Sequence, residues 1–277
     1  MNLVGLGNAG CQVVKCLENY PQYKTFCVDT ENQGYRKFVS VELQKNHEEY
    51  EKNYKKLNLR GLKGHTTVVL NGSGNISGIA LRLLEQIKKH KTDVLYIKSD
   101  EQTLTAEAKM KEKIVFSVLQ QYARSNMINR MWIVDNKNVE SILENVSIKN
   151  YWQNINNLIS NTFHMYNVFI NTEPLLTTKA QPTETCRIGT FGVVNFENSN
   201  ERLFYDLEYA RFVNYFYNIN EQTMENEGNI LSKIREEVSK KSSEETHVAF
   251  SIYPTTYDQN YVYSSHVASF IQEQNIN

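Results

Sequence analysis

The sequence predicts an α/β protein with a Rossmann-like parallel sheet, a long central helix and a smaller α+β domain at the C-terminal end. Short apolar segments alternate with helical patterns along the first part of the chain, which is the order that βαβ units produce. Two of the predicted strand-to-helix turns, at residues 5–10 and 72–78, are rich in glycine. The composition changes after Pro174, and threonine, glutamine and proline at residues 177–185 indicate a linker. We therefore predict a first domain at residues 1–170 and a smaller second domain at 171–277.

The first domain is predicted to be a regular series of strands and helices. Strands are predicted at residues 2–4, 24–28, 66–70, 93–97 and 131–134. Helices are predicted from residues 11, 79 and 106, and the polar stretch 39–59 suits an exposed helix or a mobile segment. The longest amphipathic pattern, at about 149–168, predicts the central helix because its apolar residues recur every three or four positions.

The second domain is predicted to mix strands and helices. Strands are predicted at residues 186–196 and 247–253. Helical patterns are predicted near 205–217 and 230–240, with a last helix from about Ser265.

Composition and charge narrow the functional classes. The formal net charge of the 277 residues is −1, so the broad positive field that attracts nucleic acid is not implied. No apolar run approaches the ~18 residues of a membrane span, and no basic leader precedes the first strand, so we expect a cytoplasmic protein without a membrane segment. Cysteines and histidines occur at no metal-ligand spacing, and we expect no structural metal or disulfide.

The two glycine-rich turns are candidates for phosphate binding. The first contains Gly5, Gly7, Asn8 and Gly10, and members of the second are Gly72, Ser73, Gly74, Asn75, Ser77 and Gly78. Glycine lets backbone N–H groups approach a phosphate closely at the start of a helix, where the helix dipole favours an anion. A tight turn can also need glycine for steric reasons alone, and for the first turn this alternative stays open. Two such turns at carboxyl ends of parallel strands would close on one polyphosphate from two sides.

These motifs resemble those of the tubulin/FtsZ family. GLGNAGCQ at residues 5–12 resembles the family's first glycine loop, including Cys11 and Gln12 after the last glycine. LKGHTTVVLNGSGNISG at residues 62–78 is similar to the stretch that ends in the GGGTGTG signature. It departs from that signature, because Asn75 and Ser77 stand where the family has threonines and Ile76 where it has a glycine.

Further segments extend the resemblance. Asp29 and Thr30 resemble the acidic loop after the second strand, and IVDNKN at 133–138, which contains Asn136, resembles the loop before the central helix. In that helix, Trp152 and Asn156 match an aromatic residue and an amide or acid that in the family stack on and hydrogen-bond a guanine base. Residues four apart lie about 40° apart around a helix, so this pair can present a flat ring and an amide together.

The resemblance implies a guanine nucleotide, GTP or GDP, as the ligand, with Mg²⁺ as a candidate companion ion. It also implies head-to-tail association of the chain with itself. Simpler interpretations remain open: Trp152 as a core aromatic, and Asp29 and Asn136 as turn residues.

Hydrolysis is less well supported than binding. In the family, a loop of the form GxxNxDxxD after the central helix inserts an acid against the nucleotide of the next subunit. The equivalent stretch here, residues 169–178, contains no aspartate, and Glu173 is its only acid. Glu173 is therefore the candidate catalytic residue, although it could instead cap a turn before Pro174.

Two other functions compete with a nucleotide-binding filament protein. The departures in the second glycine loop and the missing loop aspartate favour a non-catalytic structural or interaction module with the same fold. A dinucleotide-dependent enzyme would use Gly5–Gly10 with Asp29 about 20 residues on. The second glycine loop and the Trp152/Asn156 pair argue against that enzyme.

Overall fold

The computed structural model describes residues 1–143, 146–178 and 182–272 and divides the chain into two compact units. Unit 1 comprises Met1–Asn161 together with residues 271–272 at the described end of the chain, and unit 2 comprises Thr162–Phe270. No helix among the described residues is long and apolar enough to cross a membrane.

Unit 1 is built on a parallel sheet. Its strands are β1 (Asn2–Leu6), β2 (Lys24–Asp29), β3 (Phe38–Ser40), β4 (Thr66–Leu70), β5 (Thr92–Lys98) and β6 (Arg130–Asp135). They lie in the order β3-β2-β1-β4-β5-β6, and every neighbouring pair is parallel. All five residues of β4 are buried, which is typical of a strand covered on both faces. The predicted Rossmann-like parallel sheet is confirmed.

Helices follow the strands, as expected for βαβ units. They are α1 (Gly7–Cys16), α2 (His47–Lys52), α3 (Ala80–Ile87), α4 (Ala106–Arg124), α5 (Asn136–Leu143) and α6 (Tyr151–Asn171), with a 3-10 turn at Asn75–Ile79 before α3. Local sequence explains where several of them begin. Thr105 caps α4 by accepting a hydrogen bond from the Ala108 N–H at 3.2 Å, and Asn46 caps α2 through the Glu49 N–H at 2.9 Å. The last described residues, 271 and 272, belong to unit 1, where Gln272 N–H donates to Gln120 Oε1 on α4 at 2.6 Å.

The strands of unit 2 are mostly antiparallel. They are β7 (Leu176–Thr177), β8 (Ile188–Val194), β9 (Glu201–Leu203), β10 (Phe212–Asn220), β11 (His247–Thr255) and β12 (Tyr261–Ala268), and the helices are α7 (Glu221–Asn226) and α8 (Ile230–Lys241). β12 lies between β8 and β10 and is antiparallel to both, whereas β10 and β11 are parallel. Ile230, Ile234 and Val238 recur every four residues and bury one face of α8 in the core of this unit.

Two predicted helices are wrong. The pattern near 205–217 predicts a helix, but its second half belongs to β10. Asn214 and Asn218 are four residues apart and mimic the polar face of a helix, yet both are buried in the strand, at 6% and 4% exposure. The helix predicted from Ser265 is strand to Ala268, because pairing with two other strands overrides the local pattern. Residues 273–277 lie outside the described residues.

Candidate functional site

A cleft of about 790 Å³ opens in unit 1 at the carboxyl ends of β1, β4, β5 and β6. This is the edge at which open parallel sheets bind ligands, and the volume lies within the usual range for ligand clefts. The lining residues come from both glycine loops, from the segments after β5 and β6, and from the first turns of α6. They are Leu6, Gly7, Asn8, Ala9, Gln12, Lys15, Cys16, Asn71, Ser73, Gly74, Ile76, Ile97, Ser99, Asn136, Trp152, Gln153, Asn156 and Asn157.

The first glycine loop opens directly into α1 without a side-chain cap. Gly7 has a φ of +69°, in the left-handed region that favours glycine. Leu6 precedes the helix and forms no capping hydrogen bond, and the first turn contains no acidic residue. The first N–H groups of α1 therefore lack the side-chain acceptor that usually satisfies them. An anion in the cleft would supply that acceptor.

Gly10 has a structural role in the same loop. A Cβ at this position would lie 2.1 Å from the carbonyl oxygen of Val69 in β4, so only glycine permits this approach of α1 to the sheet. Gly10 does not line the cleft. The sequence alone did not decide whether the glycines of this turn serve steric purposes or phosphate binding. At Gly10 the reason is steric.

The second glycine loop is held by Asn71. Its Nδ2 donates to the Ile97 carbonyl and to Ser99 Oγ, both at 2.7 Å, while its Oδ1 accepts from Ser73 N–H at 2.9 Å. These bonds tie the loop after β4 to the end of β5. Gly74 then precedes the 3-10 turn without a side-chain cap, and the first turn contains no acidic residue. The first N–H groups of this helical start therefore also lack a side-chain acceptor.

Gly74 differs from the other glycines of the two loops. A Cβ at Gly5, Gly72 or Gly78 would lie within 2.7 Å of neighbouring protein atoms, whereas at Gly74 it would meet nothing within 4 Å. The backbone of Gly74, with φ −80° and ψ 151°, is also one that any residue adopts. Folding therefore gives no reason for glycine at this position, which lines the cleft.

The first turns of α6 place an exposed aromatic ring at the cleft. Trp152 is 63% exposed and packs edge-on against Tyr151, with ring centroids 5.0 Å apart. It lines the cleft together with Asn156, and it is not a core residue. Gln153 and Asn157 extend this surface on the same helix. The ring has a free face on which a planar ligand can stack.

Asn136 begins α5 immediately after β6 and also lines the cleft. It is only 8% exposed, and its Oδ1 has no hydrogen-bond partner among the described residues. A buried amide oxygen without a partner is costly, so a ligand donor would stabilise it.

The cleft lining carries one positive charge. Among the described residues that line it, Lys15 alone has a formal charge, and its Nζ donates to the Gln33 carbonyl at 2.8 Å. Gln12 Nε2 donates to Gln33 Oε1 at 2.7 Å, which fixes its side chain next to Lys15. This electrostatic character suits an anionic ligand.

Cys11 and Asp29 lie behind the cleft. Cys11 is fully buried, and its Sγ contacts the Gly5 carbonyl at 3.4 Å. Burial raises the pKa of this thiol, with the neighbouring Cys27 adding to the effect. Asp29 is 9% exposed and accepts from Thr30 N–H at 2.8 Å, and burial raises its pKa. Neither residue lines the cleft.

The side chains of Asn75 and Ser77 turn toward the protein. Asn75 Oδ1 accepts from Lys111 Nζ at 2.6 Å, and Ser77 Oγ lies 2.7 Å from the Gly74 carbonyl. Neither lines the cleft, in keeping with the departure of this loop from the GGGTGTG pattern. Their backbone amides are unaffected by the change of side chain.

A buried carboxylate supports the second loop from behind. Glu112 on α4 is 2% exposed, and its Oε1 accepts from Ser99 N–H at 2.8 Å. Burial raises its pKa to about 7, opposed by this hydrogen bond and by Lys98 and assisted by Asp135. Ser99 in turn contacts Asn71 and Ser73, so Glu112 is one hydrogen bond removed from the cleft.

Glu173, the candidate catalytic acid, lies in unit 2. It is exposed on the segment between α6 and β7 and is not among the cleft-lining residues.

The sequence reasoning missed several lining residues, chiefly Lys15, Asn71, Ser99, Gln153 and Asn157. Asn71 follows β4 directly and Ser99 follows β5, so the rule that ligands bind after the carboxyl ends of strands would have found both. Gln153 and Asn157 repeat the four-residue spacing of Trp152 and Asn156 one position later. Lys15 gives no comparable motif.

Comparison with known proteins finds similar structures but no sequence match. No protein-family model matches the chain, and no curated protein matches it. CetZ2 from Haloferax volcanii, solved as a GTPγS-bound protofilament, has a TM-score of 0.70 at 13% identity over 96% of this chain and 92% of that one. TubZ from Bacillus thuringiensis serovar israelensis, in a GTPγS-form protofilament, has a TM-score of 0.69 at 14% identity over 96% and 86%. An empty FtsZ dimer from M. jannaschii has 0.66 at 13% identity over 96% and 87%.

The strand order and the cleft define an α/β protein with a cleft at the carboxyl edge of a parallel sheet. The similar structures are tubulin/FtsZ-family proteins, and this chain has the tubulin/FtsZ fold. The resemblance inferred from the glycine loops is confirmed at the level of the fold.

Proposed function

We propose that the cleft of unit 1 binds a guanine nucleotide, GTP or GDP. One observation carries the proposal: two helical starts without side-chain caps border the same cleft as an exposed tryptophan. The phosphates would accept hydrogen bonds from backbone N–H groups after Leu6 and Gly74, where helix dipoles favour an anion. Lys15 adds a positive charge to the lining.

The base would stack on Trp152 and bond to neighbouring amides. Guanine presents N–H donors at N1 and at its 2-amino group, whereas adenine has an acceptor at N1. The side-chain oxygens of Asn156 and Asn136 can accept from these donors. Because each amide also carries an NH2 group, selection of guanine depends on the orientation of the two amides. The unpartnered Oδ1 of Asn136 supports its part in this selection.

The lining residues do not fit a protein-held Mg²⁺ site. Mg²⁺ in proteins is usually held by one or two carboxylates together with phosphate oxygens and water. The described lining of the cleft contains no carboxylate, so we assign Mg²⁺ no step.

We further propose head-to-tail association of the chain with itself. The fold similarity to the TubZ and CetZ2 protofilaments supports it. A contact that pairs two different faces repeats without closing and so generates an open filament. Hydrolysis would need an acid from a neighbouring subunit, and Glu173 is the residue that would supply it.

A binder without turnover, acting as a structural or interaction module, is the second candidate. The absence of aspartate from residues 169–178 favours it, because Glu173 is then the only acid in the stretch where the family has aspartates. The two candidates share the cleft and differ only in chemistry.

Calorimetric titration of the purified chain with GTP, ATP and NAD tests the proposal. Saturable binding of GTP with weaker ATP binding supports the guanine site, and NAD binding alone would indicate a dinucleotide enzyme. No binding of any of the three would reject the nucleotide site. Phosphate release that rises more than linearly with protein concentration would favour hydrolysis between subunits, and bound GTP without release would favour the second candidate.

A further inference from the structure

A second cleft, of about 420 Å³, runs beside the outermost strand of unit 1 and does not share the nucleotide cleft's lining. One wall is β3 with the two residues that follow it, and the other is the irregular segment after α2. Its lining residues are Phe38, Val39, Ser40, Val41, Glu42, Gln44, Tyr50, Asn53, Tyr54, Lys55, Lys56, Leu57, Asn58 and Ile79. Nothing in the proposed nucleotide function uses this site.

The wall formed by β3 has unused backbone groups. Its ladder with β2 is fixed by Cys27 N–H donating to the Lys37 carbonyl at 2.8 Å and by Val41 N–H donating to the Asp29 carbonyl at 3.0 Å. In a parallel ladder only alternate residues bond to a given neighbour, so residues 37, 39 and 41 face β2. The N–H and C=O groups of Phe38 and Ser40 therefore point away from the sheet. An open edge of this kind is a template for another strand.

The segment that forms both walls is positively charged although the whole chain is slightly negative, and the cleft lining itself contains Lys55 and Lys56 against Glu42. Residues 36–65 contain eight lysines and arginines against four glutamates, whereas the formal charge of the chain is −1. Lys56 is exposed at the cleft and has no ion-pair partner among the described residues. Lys55 pairs with Glu42 at 2.8 Å, but both side chains are more than 70% exposed, so water screens the pair and an acidic ligand can displace it.

We propose that this edge binds an extended acidic peptide segment of another protein by β-strand addition. The outward groups of Phe38 and Ser40 would bond to the peptide backbone, and Lys55 and Lys56 would contact its acidic side chains. A second copy of the same edge is disfavoured, because pairing two copies would bring like charges together.

Fluorescence anisotropy of the full chain tests the proposal with a labelled peptide in which glutamate alternates with valine and threonine. Ser40→Pro removes one outward N–H that the sheet does not use, and proline is tolerated at such edges. We expect it to weaken binding about tenfold, which corresponds to about 1.4 kcal/mol, near the upper end of the range for one lost hydrogen bond. Ser40→Thr, which keeps the N–H, should bind as the wild type does.

Charge reversal provides a second test that leaves the backbone intact. Lys56→Glu should weaken binding about tenfold and reduce its dependence on salt, because a contact with acidic side chains becomes a repulsion. Lys63→Glu makes the same charge change in the same basic segment, at an exposed residue outside the cleft, and should have a small effect.

Two peptide controls and one assembly measurement can overturn the proposal. A peptide methylated at alternate backbone nitrogens keeps its charge but loses the donors for strand addition, and equal binding of this peptide would exclude the mechanism. Binding that is equally strong for a lysine-substituted peptide, or no binding at millimolar protein, would also reject it. Light scattering that shows a dimer disrupted by Ser40→Pro would identify a second copy as the occupant instead.

Discussion

The contrast between Gly10 and Gly74 gives the sharpest test of the phosphate-loop argument. Each belongs to one of the two glycine loops that resemble motifs of the tubulin/FtsZ family, yet their surroundings differ. A Cβ at residue 10 would lie 2.1 Å from a backbone oxygen, about 1.3 Å short of the 3.4 Å at which ordinary contacts begin. A Cβ at residue 74 would meet no protein atom within 4 Å.

The same substitution should therefore have opposite effects at the two positions. Gly10→Ala forces α1 away from β4, and overpacking of this kind costs about 1–3 kcal/mol or more. Because both clashing groups are backbone, we expect the upper part of that range and a fall in Tm of about 6–12 °C. Gly74→Ala should leave stability unchanged or raise it by about 0.4–1 kcal/mol, because the native φ and ψ suit alanine.

The Gly74 substitutions, which should leave stability intact, are the ones that should weaken GTP binding. Gly74→Ala should weaken GTP binding at least about tenfold, and Gly74→Val should abolish it, because side-chain atoms would occupy the space of a close phosphate. Thermal unfolding and calorimetric titration of the same samples measure both quantities. Gly228→Ala is a matched control, since a Cβ there also meets nothing within 4 Å and Gly228 does not line the cleft. A folded Gly74→Val variant that binds GTP with unchanged affinity would refute the assignment of the second loop.

Three further changes test the base site and two carboxylates whose pKa values are shifted. Trp152→Ala should weaken GTP binding by about 1–3 kcal/mol through lost stacking with little change in Tm, because the ring is 63% exposed; an unchanged titration would remove the ring from the site. Glu112 has a folded pKa raised to about 7 by burial, so its contribution to stability is present below about pH 4.5 and is lost as the pH rises through 7. Between pH 4.5 and 8, the free energy of unfolding of the wild type, measured in urea, should fall by on the order of 3 kcal/mol relative to that of Glu112→Gln. Parallel pH profiles of the two proteins would contradict this. Burial raises the pKa of Glu201, but hydrogen bonds from His266, Ser264 and Tyr215 outweigh it and hold the pKa at about 2. The contribution of Glu201 to stability is thus present above about pH 4.5 and lost as the pH falls through 2. In Glu201→Gln the free energy of unfolding should therefore lack on the order of 3 kcal/mol of the decrease that the wild type shows in acid. An unchanged acid profile would exclude a stabilising role for these hydrogen bonds.

Local patterns were sufficient for most of unit 1. The strand Thr66–Leu70 was predicted at its observed bounds, because a run of β-branched residues followed by glycine leaves few alternatives. The long helix was placed within a few residues of Tyr151–Asn171, because its apolar period extends over many turns. In such segments the local sequence and the tertiary environment favour the same structure.

Unit 2 was harder to predict because its strands depend on partners distant in sequence. β12 pairs with β8, more than sixty residues earlier, and this pairing has no local counterpart in the pattern at Ser265. β10 is buried on both faces, so the alternation that identifies a strand is absent from it. The exposure of Trp152 could not be predicted from the sequence either, because periodicity indicates which face of a helix a residue occupies but not whether a cleft lies beside it.

The departures from the family signature affect binding and hydrolysis differently. A phosphate bonded to backbone N–H groups does not depend on which side chains those residues carry, so Asn75 and Ser77 can replace threonines without removing the donors. Hydrolysis instead requires a particular acid at a particular distance, and no backbone group can replace it. The structure has the feature that tolerates substitution, namely two uncapped helical starts at one cleft, whereas the stretch at residues 169–178 contains no aspartate. We therefore expect this chain to bind nucleotide without hydrolysing it, and the Gly74 variants and the phosphate-release assay test these two properties separately.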